Sequence, residues 1–308
     1  MTPQACDAWP ELPYDEWSGT QKSLHLYAQM LGKLRLALSP QLPDWFGARL
    51  YTGARWITTG TMPHGTCTVE ARIDFVEHDL VIDVSDGSRR KVPLLPARCV
   101  AEVWADLLAA LEDLGIVVDL WSKPQEIANL TPLDRDRVHC VYDPDYVMRW
   151  FAVLNAVENV FDRWRSRFFG RSGVQFWWGS FDLSVVLFSG KRLVPPPGIG
   201  YIRRYDADAE HLSAGFWPGN DEAPQPQFYA YLLPHPKGAE RQEVRPKQAV
   251  WGAGMGEWFL PYDAVREADD PEATLMEFLD SVYEIVWPAA GQDLGDLTYV
   301  PPPPPQRR

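Results

Sequence analysis

The stretch GVQFWWGSFDLSVVLFSGK, residues 173–191, is the longest aromatic and β-branched run in the chain. It alternates: Trp178, Ser180, Asp182 and Ser184 share one parity, and Phe181, Leu183 and Val185 share the other. A pleated strand sends successive side chains to opposite faces. The run therefore predicts a strand over 173–189 with one greasy face and one small, polar face that carries a single carboxylate. Such alternation belongs to an antiparallel sheet with one face on the core.

Outward from it, apolar residues at three- and four-residue spacing (Trp150, Leu154, Val157, Phe161, Trp164, Phe168) predict a helix over 145–169. On the other side LVPPPGIG, 193–200, is a stiff turn, and 201–220 reads as loop with room for a short helix. FYAYLL at 228–233 is a strand, a helix follows over 271–286, and five prolines at 301–305 predict a polyproline II tail. The first half of the chain predicts a helix over 21–38 and strands over 50–59, 67–75, 80–84 and 89–95. A second helix, marked by Val100, Val103, Leu107 and Leu111, is closed by Gly115. Residues 116–121 look strand-like, and 122–144, with three prolines and many charges, reads as a linker.

The two halves share one order: helix, strands, Leu-Pro turn, helix. Tyr51-Thr52-Gly53-Ala54 aligns with Trp177-Trp178-Gly179-Ser180, and Leu95-Pro96-Ala97 with Leu260-Pro261-Tyr262. The expected fold is α+β, with two related α-β-β-β-α halves, each an antiparallel sheet flanked by helices, arranged as a pseudo-two-fold duplication. Its parts are an irregular segment 1–20, a first half 21–121, the linker 122–144, a second half 145–290 with an insertion at 193–226, and a Pro-rich disordered tail 291–308. Asp182 then matches Trp56 of the first copy, which places the specialised chemistry in the second.

The 308 residues are 46% hydrophobic, enough for a large core, so global disorder is excluded. A net charge of −13 repels phosphate backbones and anionic lipid, so neither nucleic acid nor a membrane surface is the expected partner. No apolar run approaches the ~20 residues of a membrane helix. The N-terminus MTPQACDAWPELPYDEW has no basic segment followed by an apolar one, unlike a signal peptide. Cys6, Cys67, Cys99 and Cys140 form no C-x-x-C pair and are expected as reduced thiols. The expected location is the cytoplasm.

Three constellations can carry chemistry. The first is the polar face of 173–189 with Tyr229 and Tyr231, which share a parity: Trp178, Ser180, Asp182, Ser184, Tyr229 and Tyr231, with Trp217 of a nearby loop, would suit a small amphipathic ligand. Asp182 would orient an amine or act as a base if burial raised its pKa, but the face reads first as a solvent-facing one with ordinary polar residues. The second is the ladder Thr68, Glu70, Arg72 and Asp74, a wet face unless burial turns Arg72 into an anion clamp. The third is Asp206, Asp208, Glu210 and His211, which reads first as a solvated acidic loop; Glu210 and His211 are the candidate metal ligands. His25, Asp182 and Glu210 are the candidate catalytic residues, although His25 reads first as a hydrogen-bonded core residue. Arg163, Arg165, Arg167 and Arg171 suit a helix C-terminus better than an anion site. No G-x-S-x-G elbow, P-loop or dinucleotide fingerprint occurs, and no cofactor is expected.

Taken together, WPELPYDEW, LHLYAQ, FWWGSFDLSVVLFSGKR, SAGFWPG, FYAYLLPHP and FLPYDAVR resemble a family of uncharacterised bacterial proteins, a domain of unknown function. The resemblance spans roughly residues 9–290 and implies one unit built from both halves, with no activity or catalytic residue to carry over. The leading reading is a small-ligand binder, with the reaction class open if it is an enzyme. The alternatives are a structural or protein-interaction module and a metal-dependent enzyme using Glu210, His211 and Asp182. The oligomeric state is left open.

Overall fold

Residues 173–191 form a hairpin rather than the single expected strand. Gln175–Trp177 pairs antiparallel with Asp182–Arg192, and Trp177 lies opposite Asp182. The turn places Phe181 at φ 63°, a left-handed conformation that bulky residues seldom adopt. Packing over-determines it: Phe181 is fully buried and stacks on Trp150 with ring centroids 5.0 Å apart. The parity argument survives on the longer arm. Leu183, Val185 and Leu187 enter the core, while Asp182, Val186 and Phe188 face a cavity.

The computed structural model describes residues 7–300; the prolines at 301–305 and Cys6 lie outside them. The first half runs α1 (Tyr14–Leu38), a 3-10 turn (Pro43–Trp45), β1 (Tyr51–Thr52), β2 (Trp56–Thr58), β3 (Met62–His64), β4 (Cys67–Asp74), β5 (Asp79–Val84), β6 (Arg89–Pro93) and α2 (Val100–Asp113). The second runs α3 (Pro144–Arg165), β7 (Gln175–Trp177), β8 (Asp182–Arg192), α4 (Tyr201–Asp206), β9 (Ala209–Trp217), β10 (Gln227–Leu233), β11 (Val250–Gly252), β12 (Glu257–Pro261), α5 (Tyr262–Arg266), α6 (Pro271–Ala289) and α7 (Leu294–Leu297). The fold is α+β, with two antiparallel six-stranded sheets ordered β1-β2-β4-β5-β6, with β3 on β4, and β7-β8-β9-β10-β12-β11.

Local sequence explains most of these elements. Asp143 caps α3 through the backbone N–H of Asp145 at 2.9 Å, and Pro144 takes the first helical position, where its lack of an N–H costs nothing. Asp270 and Pro271 repeat the device at α6. Gly115, at φ 69°, follows the end of α2 as expected. The arginines near the end of α3 serve structure: Arg163 pairs with Glu272 and Arg167 with Asp280 of α6, and Arg165 with Asp162. The β4 ladder is likewise committed, with Arg72 on Asp83 and over the Trp56 ring, Arg55 on Asp74, and Thr58 on Glu70.

One core joins the halves. Trp150 touches Trp17 of α1, Phe75 beyond β4, Phe176 of β7 and Phe181. The sheets meet where Leu50 and Phe176 exchange both backbone hydrogen bonds, at 2.9 and 3.0 Å. These residues immediately precede Tyr51 and Trp177, which the sequence alignment sets side by side.

Several expectations are corrected. Residues 201–220 are not loop: α4 is followed by the nine-residue β9, a central strand of the second sheet. Residues 116–121 form no strand. Residues 122–144, read as a linker, are pinned to α1 and α2. Cys99 and Cys140 are not reduced thiols but bonded to each other, joining the start of α2 to the approach to α3. Cys67 is free.

Candidate functional site

The helices α3 and α6 cover one face of the second sheet. On the other face a cavity of about 140 Å³ opens between β8, β9 and β10, with Trp45 of the 3-10 turn and the adjoining Phe46, Glu126, and Ile202 and Asp206 of α4 closing around it. Alternation along β9 sends His211 and Ser213 into the cavity and Glu210 to the other side, and alternation along β10 sends in Tyr229 and Tyr231.

Asp182 is the centre. It starts β8, is 5% exposed, and accepts hydrogen bonds from Ser180 on one oxygen and from Tyr229 on the other. Burial raises its pKa to about 6; the two hydroxyls work against that rise and the nearby Asp206 adds to it. Tyr229 reaches Asp182 because Gly215 lies directly opposite on β9: any Cβ there would fall inside the Tyr229 ring. Burial and the Asp182 charge raise the Tyr229 pKa, so its hydroxyl remains a donor. Tyr231 stacks on Tyr229 with centroids 6.2 Å apart.

Helix α1 supports the segments that carry Trp178, Gly179 and Glu126. His25, Gln29, Gly32 and Lys33 lie on one helical face by their spacing. His25 Nε2 donates to the carbonyls of Trp178 and Gly179 at 3.0 and 2.9 Å. Carbonyls only accept, so Nε2 carries the proton, and burial lowers the His25 pKa to about 4. Gly32 leaves room for the Trp178 ring, whose Nε1 donates to Ala48 O at 2.8 Å. Gln29 and Lys33 bind the backbone of Gln125 and Lys123 at 2.7 Å each. Glu126, next in line at φ 60°, is thereby laid across Gly179, where a Cβ would collide with its carboxyl. Burial of that carboxyl, with Asp182 and Asp206 nearby, raises it to about 7, although the residue as a whole is exposed at the rim.

Of the expected ligand residues, Trp178, Ser180, Asp182, Tyr229 and Tyr231 line the cavity. Ser184 does not: it is fully buried and accepts from Trp177 Nε1 at 2.8 Å, fixing a cavity-wall ring. Trp217 sits at the end of β9, outside the lining. His25 supports the turn from behind. Glu210 bonds Lys191, Ser189 and Gln292, apart from His211, and the described residues hold no group of three or more His, Cys, Asp or Glu placed to bind a metal ion. His211 donates through Nδ1 to Ala209 O at 3.0 Å, which leaves the Nε2 lone pair as acceptor in the neutral ring. Burial lowers its pKa, so it is uncharged at neutral pH. Sequence reading missed Glu126, Gly215 and the platform on α1. The only sequence signal for them was two glycines, Gly32 and Gly215, inside otherwise well-formed elements.

The chain belongs to a family of unknown function (DUF5996), which it matches over residues 9–298. No curated protein and no solved structure matches it.

Proposed function

We propose that this protein binds a small ligand in the cavity on the open face of the second sheet. The observation that carries the reading is convergence: Asp182, Glu126, His211, Ser213 and Tyr229, from separate parts of the chain, turn toward one concave, aromatic-walled space. An interaction module would display its aromatics on a flat surface; here Trp178, Tyr229 and Tyr231 are turned inward. A catalytic use of the same pocket is the second reading, favoured by two carboxyls, Asp182 and Glu126, raised to about 6 and about 7, where general acids and bases work.

The test is native mass spectrometry of the gently purified protein beside a Ser213→Trp variant, whose indole fills the cavity. A bound small molecule that disappears in the variant supports the reading. A molecule retained by the variant places binding elsewhere.

The duplication belongs to the same proposal. Each sheet contains a run of five antiparallel neighbours in chain order, β1-β2-β4-β5-β6 and β7-β8-β9-β10-β12, with the sixth strand placed differently. This run and the reciprocal Leu50–Phe176 pair, the arrangement a two-fold axis produces between equivalent strands, favour descent from one repeated unit. In that scheme the cavity is specific to the second copy, since Trp56 stands in the place of Asp182. No helix among the described residues is long and apolar enough to cross a membrane. For location, the Cys99–Cys140 bond favours an oxidising compartment over the expected cytoplasm.

A further inference from the structure

Four carboxylates are buried among the described residues: Asp74, Asp136, Asp182 and Glu210. Three meet a basic side chain. Asp74 meets Arg55 at 2.7 Å, Asp136 meets His139 at 2.7 Å, and Glu210 meets Lys191 at 3.0 Å. Those partners help hold all three pKa values below the ordinary range. Asp182 has two hydroxyl donors and, among the described residues, no ion pair with a basic side chain. A buried charge without a counter-charge is costly, and folded chains pair such groups or bind something to them.

The surroundings repeat the pattern. The described residues lining the cavity include three acids, Glu126, Asp182 and Asp206, and neither Lys nor Arg. The walls are aromatic faces, Trp177, Trp178 and the stacked pair Tyr229 and Tyr231. An electron-rich ring face attracts a cation, and more strongly when water is excluded. An anionic ligand would meet the Asp182 carboxyl with no Lys or Arg among the described lining residues.

We propose that the ligand supplies the counter-charge of Asp182: the pocket takes a small organic cation, an ammonium or guanidinium compound, with its charge against Asp182 and its apolar part against the aromatic walls. This rests on the cavity being a ligand site. Asp182 retains lone pairs not used by Ser180 and Tyr229, enough to accept from an N–H donor.

The test compares charge at constant shape on the full chain at pH 7.5, by calorimetry and tryptophan fluorescence. One pair is choline and its neutral isostere 3,3-dimethylbutanol; the other set is benzylammonium, benzyl alcohol and benzoate. The expected result is that at least one cation binds ten-fold or more tighter than its neutral isostere, with benzoate weakest, and that Asp182→Asn abolishes the preference. The comparison within the wild-type protein stands even if the variant folds poorly. Equal or tighter binding of an alcohol or of benzoate overturns the cation assignment and leaves the pocket reading intact. Failure of all five to bind also overturns the assignment; the pocket reading falls with it only if native mass spectrometry finds no adduct either. A cation preference that survives in folded Asp182→Asn removes Asp182 as the counter-charge.

Discussion

Asp182 and His25 flank the same turn, and protonation of Asp182 favours the folded state whereas protonation of His25 opposes it. The Asp182 pKa is raised from 3.8 to about 6, so between these values the folded state binds the extra proton and stability falls as pH rises. The His25 pKa is lowered from 6.5 to about 4, so over nearly the same window the unfolded state binds the extra proton and stability rises with pH. Each is worth about 3 kcal/mol across its window at 1.36 kcal/mol per pH unit, and in the native chain they largely offset each other. Urea unfolding at pH 4 and pH 7 should separate them. Relative to wild type, Asp182→Asn should gain stability on going to pH 7, and His25→Gln should lose it. Equal differences at both pH values would contradict the burial of both groups. A buried group that weakens the fold at neutral pH fits a residue kept for its chemistry. Gly215→Ala, a change that ordinarily favours a strand, should instead displace Tyr229 from Asp182 at a cost of about 1–3 kcal/mol for overpacking. A wild-type melting temperature for this variant would argue against the close approach.

At the scale of elements, α1 is the support of the site rather than a peripheral helix. Gly32→Ala should stabilise an exposed helix by up to about 1 kcal/mol. Here the added methyl meets the Trp178 ring, so the expectation is a loss of about 2 kcal/mol or more and a shift in tryptophan emission. The helices were readable because their apolar spacing is strong, and the β4–β5 hairpin because its alternation is bounded by clear turn residues. β9 was not readable. Its cavity face carries His211, Ser213 and Gly215, and Glu210 adds a charge on the other face, so a central strand looked like polar loop. The turn at 178–181 is illegible for a related reason: Phe181 adopts a glycine-like φ held by packing against Trp150, His25 and Phe176, which no local signal predicts. Ser180 and Asp182 were found from parity alone. Glu126 was out of reach, because contacts with Gln29 and Lys33, distant in sequence, put it in place.

At the scale of the molecule, the two sheets share a core around Trp150 and exchange backbone bonds at Leu50–Phe176, so neither half should fold alone. A chain ending at residue 121 should lack a cooperative unfolding transition by circular dichroism; a sharp transition would show the halves to be independent. The cavity depends on the same union, since Phe46 and the α1 platform come from the first half and Asp182, His211 and Tyr229 from the second. The central claim, a buried carboxylate whose charge a ligand completes, can be read at the atom concerned. In protein labelled with carbon-13 at the aspartate carboxyls, Asp182 should titrate near pH 6 in the free protein and below pH 4 when saturated with benzylammonium. A titration near pH 4 in the free protein, or one that benzylammonium leaves unmoved at saturation, would contradict the account.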